Sequence, residues 1–127
     1  MNTRILMTSS SLILGTAGVF AIFAPDVVLS VQGGAESEVG TILVQLMGAL
    51  YFAFALMNWT AKDSAIGGIY ARPVSLANFS HFFIGALLLA KYVFNAFSLF
   101  MLFATAVYVI YAACFYWLVF RATGLKE

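Results

Sequence analysis

The sequence predicts an all-α, polytopic membrane protein: four transmembrane helices packed as one antiparallel bundle, with both termini in the cytoplasm. Hydrophobic residues make up 64% of the 127 residues and charged residues only 9%, whereas a typical soluble domain is about a quarter charged. A soluble domain of this size leaves a large share of its surface exposed, so it could not keep this much apolar surface out of water. We therefore expect lipid to surround most of the chain.

Each predicted span is an apolar run near the length of about 20 residues that a helix needs to cross the hydrocarbon core. The runs cover residues 5–23, 40–59, 74–94 and 97–120, within one predicted domain of residues 1–127. Helices are predicted rather than strands because the runs are long, contain no internal Pro and do not alternate with period two. The last two runs are separated only by a tight turn around Asn95, which predicts that those helices are antiparallel neighbours.

The first run has two features of a secretory signal, Arg4 ahead of it and small residues near its end, but the small-x-small pattern of a cleavage site is missing near Ala24. We therefore predict a retained helix. Pro25 suits the first position of a helix, and the apolar residues that follow it predict a short helix in the headgroup region, ended by Gly33-Gly34. An ordinary loop is the alternative. Gly67-Gly68 predict a bend in the next connection.

The basic residues predict the orientation. With the amino terminus inside, five basic residues lie on the cytoplasmic side and only Lys91 lies outside, which agrees with the positive-inside rule. The inner five are Arg4, Lys62, Arg72, Arg121 and Lys126. The net charge of +1 argues against a nucleic-acid partner. The predicted partners are membrane lipid and either further copies of the chain or other membrane subunits.

Small residues recur at helical spacing inside the spans. Helices in lipid associate through close packing of small residues and a few hydrogen bonds. The predicted packing positions are Ser11, Gly15 and Gly18 in the first span, Gly48 in the second and Gly85 in the third. The fourth helix has a similar stripe, formed by Thr105, Tyr108, Ala112 and Tyr116. We expect the stripes of the first, second and fourth helices to face one another. A cavity lined by the same stripes is the alternative.

Four polar side chains inside the spans are candidate ligand-binding residues: Gln45, Asn58, Asn78 and His81. His81 lies roughly 12 Å along its helix at 1.5 Å per residue, and an ionisable group at that depth is a functional hypothesis. Its imidazole could be a neutral partner of Gln45, Asn58 or a Tyr hydroxyl, could bind a polar headgroup or small ligand or relay protons, or could ligate haem. No second haem ligand or motif is present, so neither a cofactor nor a metal is predicted.

Residues that the sequence lacks argue against several activities. The single Cys cannot supply the cysteine pairs of disulfide-forming oxidoreductases. The spans contain no Asp or Glu, which proton-coupled drug transporters generally need within the membrane. There is no Ser-His-acid set, phosphate-binding loop or metal-ligand cluster in the sequence. No catalytic residue is therefore predicted.

Residues 25–59 carry a resemblance to a known family. Pro25-Asp26, the run Val44-Gln45-Leu46-Met47-Gly48-Ala49-Leu50-Tyr51 and Met57-Asn58-Trp59 resemble the DoxX-like group of small bacterial four-helix membrane proteins. The resemblance implies a four-helix fold in the bacterial cytoplasmic (inner) membrane. The named member of that group is associated with quinone-linked oxidation, but no residues in this sequence carry such chemistry.

These patterns predict a non-enzymatic integral membrane protein, an accessory or assembly subunit that packs in a homo-oligomer or a larger membrane complex. The alternative is the binding or transport of a small lipophilic molecule, a quinone or a lipid, in an intramembrane pocket around His81. Convergence of the four candidate polar side chains on a cavity would favour that alternative.

Overall fold

The computed structural model describes residues 2–31, 33, 37–63 and 71–120, and within these residues the chain forms five helices and no strand. The helices are α1 (Thr3–Phe23), α2 (Pro25–Val31), α3 (Glu38–Ala61), α4 (Arg72–Asn95) and α5 (Leu99–Phe120). All except α2 are long and apolar enough to cross a membrane. Over these residues the predicted all-α class is therefore confirmed, and so are four apolar helices of membrane-spanning length.

Polar capping residues set where two of the long helices begin. The Asn2 side chain accepts hydrogen bonds from the backbone N–H groups of Arg4 and Ile5, so α1 begins at Thr3. Ser37 Oγ accepts from the N–H of Gly40 at 3.0 Å, so α3 begins two residues before the predicted boundary. These side chains accept hydrogen bonds from N–H groups of the first helical turn, which have no acceptor inside the helix itself.

The short helix predicted after Pro25 is present as α2, with Pro25 at its first position and Asp26 in its first turn. Gly33 follows with a φ of 70°, and its N–H donates to Ser30 O at 3.0 Å. A positive φ is readily adopted by Gly because it has no Cβ. Several residues used for sequence predictions lie outside the described residues, namely Gly34, Gly67, Gly68, Arg121 and Lys126.

By its internal contacts the chain divides into two compact units, Met1–Asp63 and Ser64–Glu127. The first unit contains α1, α2 and α3, and the second contains α4 and α5. The main contacts are those of α1 with α3 in the first unit and those of α4 with α5 in the second. The prediction of one four-helix domain over residues 1–127 stays a prediction.

In the first unit, small residues allow the backbones of α1 and α3 to approach closely. A Cβ atom added to Gly18 would lie 2.8 Å from Gly48 O and 2.9 Å from Phe52 N. One added to Gly48 would lie 2.8 Å from Ala21 Cβ. Because these distances are shorter than van der Waals contact, a side chain at either glycine would force the helices apart.

In the second unit, aromatic side chains fill the contact between α4 and α5. Phe82 and Phe115 are fully buried, and their rings stack with centroids 5.8 Å apart. Phe79 packs edge-on against Phe120, with centroids 5.6 Å apart. Aromatic rings bury large apolar areas and favour such offset and edge contacts. The α4–α5 pair therefore rests on large side chains where the α1–α3 pair rests on small ones.

Candidate functional site

The polar centre of the first unit is a pair of fully buried side chains, Asn58 on α3 and Ser10 on α1. Asn58 Nδ2 donates to Ser10 Oγ at 3.0 Å, and Ser10 Oγ donates to Met7 O at 3.0 Å. Next to this pair, Ser11 Oγ donates to Ala55 O at 2.7 Å. An unpaired polar group costs several kcal/mol in an apolar medium, so these bonds satisfy the buried groups while joining the two helices.

Ser10 is missing from the sequence prediction, which singled out its neighbour Ser11. Its sequence signal is weak, because a serine in an apolar helix commonly bonds to its own backbone. The stronger signal is Asn58, whose amide carries two donors and an acceptor that need partners inside the membrane. The partner can be identified only once the rotation of α1 about its axis is known.

Gln45 bonds to the end of α1. Its Nε2 donates to Ile22 O at 3.1 Å. Ile22 lies in the last turn of α1, where carbonyl groups have no partner within their own helix. Gln45 is half-buried. From α3 it supplies the Ile22 carbonyl with a hydrogen-bond donor that α1 cannot provide for itself.

His81 is the polar centre of the second unit. Its Nε2 lies 3.3 Å from the Tyr108 hydroxyl on α5, and its ring packs edge-on against Phe82 with centroids 5.1 Å apart. Gly85 lies one turn further along α4, and a Cβ atom there would overlap the Tyr108 ring. Gly85 thus leaves the space in which Tyr108 reaches the imidazole, and one interpretation offered for His81, hydrogen bonding to a Tyr hydroxyl, agrees with this geometry.

Asn78 is fully buried on α4. Among its interactions, its Nδ2 donates to Val74 O at 2.9 Å, one turn back on the same helix. Ser75 makes the same kind of bond, from its hydroxyl to Ala71 O at 3.2 Å. Both side chains therefore add hydrogen bonds along the first part of α4.

The four predicted ligand-binding residues divide between the units. Gln45 and Asn58 belong to the first, and Asn78 and His81 belong to the second. Each makes hydrogen bonds inside its own unit, and the prediction that the four line one ligand site stays a prediction. Over the described ranges, every buried side-chain nitrogen and oxygen atom has a hydrogen-bond partner.

An apolar groove of about 520 Å³ runs along the contact of α1 and α3, and we call it the α1–α3 groove. Its lining includes Leu12, Gly15, Thr16, Phe52, Leu56 and Trp59. A second depression of about 520 Å³ lies at the start of α3 and is lined by Ser37, Glu38, Thr41, Ile42 and Gln45. Among the described residues, no group of three or more His, Cys, Asp or Glu side chains could hold a metal ion.

Charged side chains gather where α1 begins and α3 ends. Arg4 Nε lies 3.0 Å from Asp63 Oδ1, and both side chains are exposed. The Lys62 ammonium lies 3.1 Å from the centroid of the Trp59 ring, which is a cation–π contact. The sequence predicts that Arg4 and Lys62 lie on one side of the membrane. Hydropathy does not predict that Arg4 pairs with Asp63 or that Lys62 lies over Trp59.

No protein-family model, curated protein or solved structure matches this chain. The resemblance to the DoxX-like group therefore depends on the motifs in residues 25–59 and stays a prediction. In the structure those motifs lie at the start of α2 and along α3, where Gln45, Gly48 and Asn58 contact α1.

Proposed function

We propose that this protein is a non-enzymatic integral membrane protein, an accessory or assembly subunit that packs against further copies of itself or against other membrane subunits. The observation that supports this most directly is how its polar groups are used. Every described buried polar side-chain atom is already hydrogen-bonded within the chain. The polar chemistry therefore stabilises the helices and leaves no unsatisfied buried group of this kind for a substrate.

The exposed side of α5 is the surface through which we propose that this packing occurs. Phe100, Phe103 and Ile110 are all exposed, and their spacing of three and seven residues places them near one side of the helix. Lipid tails are as apolar as these side chains, so association in a membrane depends on tight van der Waals packing. Large aromatic side chains supply many such contacts.

The association is tested in native membranes. Tagged protein is extracted into lipid nanodiscs, and the mass of each particle and its co-purifying proteins are determined. The expected result is a stoichiometric assembly that the double change Phe100→Ala and Phe103→Ala weakens. Leu87→Ala with Leu88→Ala, two exposed positions on α4, is the control and should leave the assembly intact. A wild-type protein found alone and monomeric would contradict the proposal.

We further propose an antiparallel bundle in the bacterial cytoplasmic membrane, with both termini inside and α2 in the outer headgroup region. Contact partners run in opposite order along paired helices: Ser11 meets Ala55 and Ile22 meets Gln45. The Arg4–Asp63 ion pair joins the start of α1 to the end of α3. All three contacts support opposite directions for α1 and α3, and the distribution of basic residues supports the placement of both termini on the cytoplasmic side.

Cysteine labelling tests the orientation. In a Cys114→Ala background, Asp63→Cys and Asn95→Cys each place one thiol at an exposed position near a predicted end of a span. A membrane-impermeant maleimide should label Asn95→Cys in intact spheroplasts and Asp63→Cys only after permeabilisation. The reverse pattern would contradict the orientation, and labelling of both in intact spheroplasts would contradict an odd number of crossings between them.

The second candidate function is the binding or transport of a quinone or lipid around His81. The observation in its favour is the His81–Tyr108 pair, because a quinone carbonyl can accept a hydrogen bond from a phenol or an imidazole N–H. This candidate predicts that quinone co-purifies in a stoichiometric amount and is lost in His81→Ala but retained in Asn95→Ala. A haem absorption band in the purified protein would contradict both candidate functions.

A further inference from the structure

The α1–α3 groove is an open depression on the first unit. Leu12 is 59% exposed, Phe20 is 60% exposed and Leu56 is 52% exposed, and all three line the groove. Since α1 and α3 are long and apolar enough to cross a membrane, we expect lipid to be the medium around the groove. Its volume of about 520 Å³ lies within the range of roughly 300–1,000 Å³ of small-molecule sites.

The shape of the groove follows from small residues along its length. Gly15 and Ala55 approach closely, since a Cβ atom on Gly15 would lie 3.4 Å from Ala55 Cβ. Ser11 adds no unsatisfied hydroxyl, because its Oγ donates to Ala55 O. The larger side chains of Leu12 and Phe52 also line the groove, so it presents a mainly apolar surface to an occupant.

One end of the groove carries positive charge. Trp59 lines the groove, and the Lys62 ammonium lies over the Trp59 ring. Arg4 is at the same end through its ion pair with Asp63, which uses the guanidinium Nε. Lys has three N–H donors and Arg has five, so both can also donate to a phosphate. The three charged groups together carry one net positive charge.

We propose that the α1–α3 groove binds one anionic glycerophospholipid, with an acyl chain along Gly15 and Thr16 and the phosphate against Lys62 and Arg4. The apolar groove accounts for the chain, and the cations at one end account for the anionic headgroup. A choline headgroup adds a cation that Lys62 repels, so phosphatidylcholine binds less well. Neither His81 nor Tyr108 belongs to this site, and the site does not depend on the proposed accessory role.

Fluorescence quenching tests the site, because Trp59 lies in the groove. Trp117→Phe leaves Trp59 as the only indole, and this variant is reconstituted into phosphatidylcholine vesicles with a small, equal fraction of brominated phosphatidylglycerol or brominated phosphatidylcholine. Bromine quenches indole fluorescence only at short range. We expect apparent binding of the brominated phosphatidylglycerol to be stronger by about fivefold, the effect of roughly one basic residue at an anionic surface.

Two pairs of variants in the Trp117→Phe background separate the headgroup from the chain. Lys62→Gln should abolish the preference for phosphatidylglycerol, and Arg72→Gln, which removes an exposed cation that is not among the groove residues, should preserve it. Thr16→Phe should fill the groove and reduce quenching by both brominated lipids. Ala17→Phe adds the same side chain at an exposed neighbour that does not line the groove, and it should leave quenching unchanged.

The outcomes are distinguishable because quenching is normalised for each variant to vesicles that contain no bromine. Equal quenching of Trp59 by the two brominated lipids would overturn the proposal and indicate ordinary boundary lipid. A preference that survives Lys62→Gln would also overturn it. So would equal losses in Thr16→Phe and Ala17→Phe, since the groove would then not be the place where the acyl chain binds.

Discussion

Replacing Gly18 by Ala tests whether direct backbone contact holds α1 against α3. The added Cβ atom would lie 2.8 Å from Gly48 O, and both nearest atoms belong to the backbone of α3, which cannot rotate away as a side chain can. Ordinary van der Waals contact begins near 3.4 Å. The helices must therefore separate locally from 2.8 Å to 3.4 Å, which is about 0.6 Å.

The magnitude follows from three effects. Overpacking of this kind costs about 1–3 kcal/mol. The same separation would stretch the Gln45–Ile22 hydrogen bond, 3.1 Å long in the structure, and losing such a bond in a membrane protein costs about 0.6 kcal/mol. Ala favours the helix over Gly by about 1 kcal/mol. The net expectation for Gly18→Ala is a loss of about 0.6–2.6 kcal/mol in the free energy of unfolding.

Gly15→Ala is the matched control, because it makes the same chemical change one turn earlier on the same helix. Its Cβ atom would lie 3.4 Å from Ala55 Cβ, an ordinary contact, so we expect no loss of stability. The assay is SDS titration of the protein in mixed micelles, which reports the free energy of unfolding. Equal stability of the Gly15 and Gly18 variants would refute the reasoning, since it would show that α1 and α3 do not depend on this approach.

Two further changes probe the polar contacts by the same assay. In a double-mutant cycle, Asn58→Ala and Ser10→Ala should show a coupling of about 0.6–1.7 kcal/mol, the range of hydrogen bonds between membrane helices; independent effects would contradict the observed bond. Gly85→Ala should destabilise the protein because its Cβ atom overlaps the Tyr108 ring, and it should cost less in a Tyr108→Ala background. Tyr108→Phe keeps the ring and serves as the control, so an unchanged cost in both backgrounds would show that the ring is not the obstacle.

Hydropathy predicted the helices because each apolar run is long enough to cross a membrane, but it placed their ends imperfectly. The second span was predicted over residues 40–59 and is Glu38–Ala61, since the cap that starts it is the polar residue Ser37. The last span was predicted from residue 97 and begins at Leu99. Phe97 continues the apolar run, yet it lies in the connection after Asn95, so its hydrophobicity carried no information about helix geometry.

The candidate polar residues were visible in the sequence, but their partners were not. A Tyr hydroxyl was one expected partner of His81, and the chain has 6 Tyr residues. The structure identifies Tyr108 through the space that Gly85 leaves for its ring. Spacing within one helix defines a face, but it does not determine which residue of another helix that face meets. This is why Gly85 could be predicted as a packing position while the reason for it could not.

The two units use opposite means to hold a pair of membrane helices, and the α1–α3 groove follows from that difference. Gly18 and Gly48 bring the backbones of α1 and α3 together, but small residues cannot also fill the space beside the contact line. The close approach of the two backbones therefore leaves the open α1–α3 groove beside their contact, where Gly15 is one of the lining residues. The rings of α4 and α5 fill their own contact instead. A lipid in the α1–α3 groove would replace the side-chain packing that the small residues cannot provide, so we expect its removal to destabilise α1 and α3 more than α4 and α5.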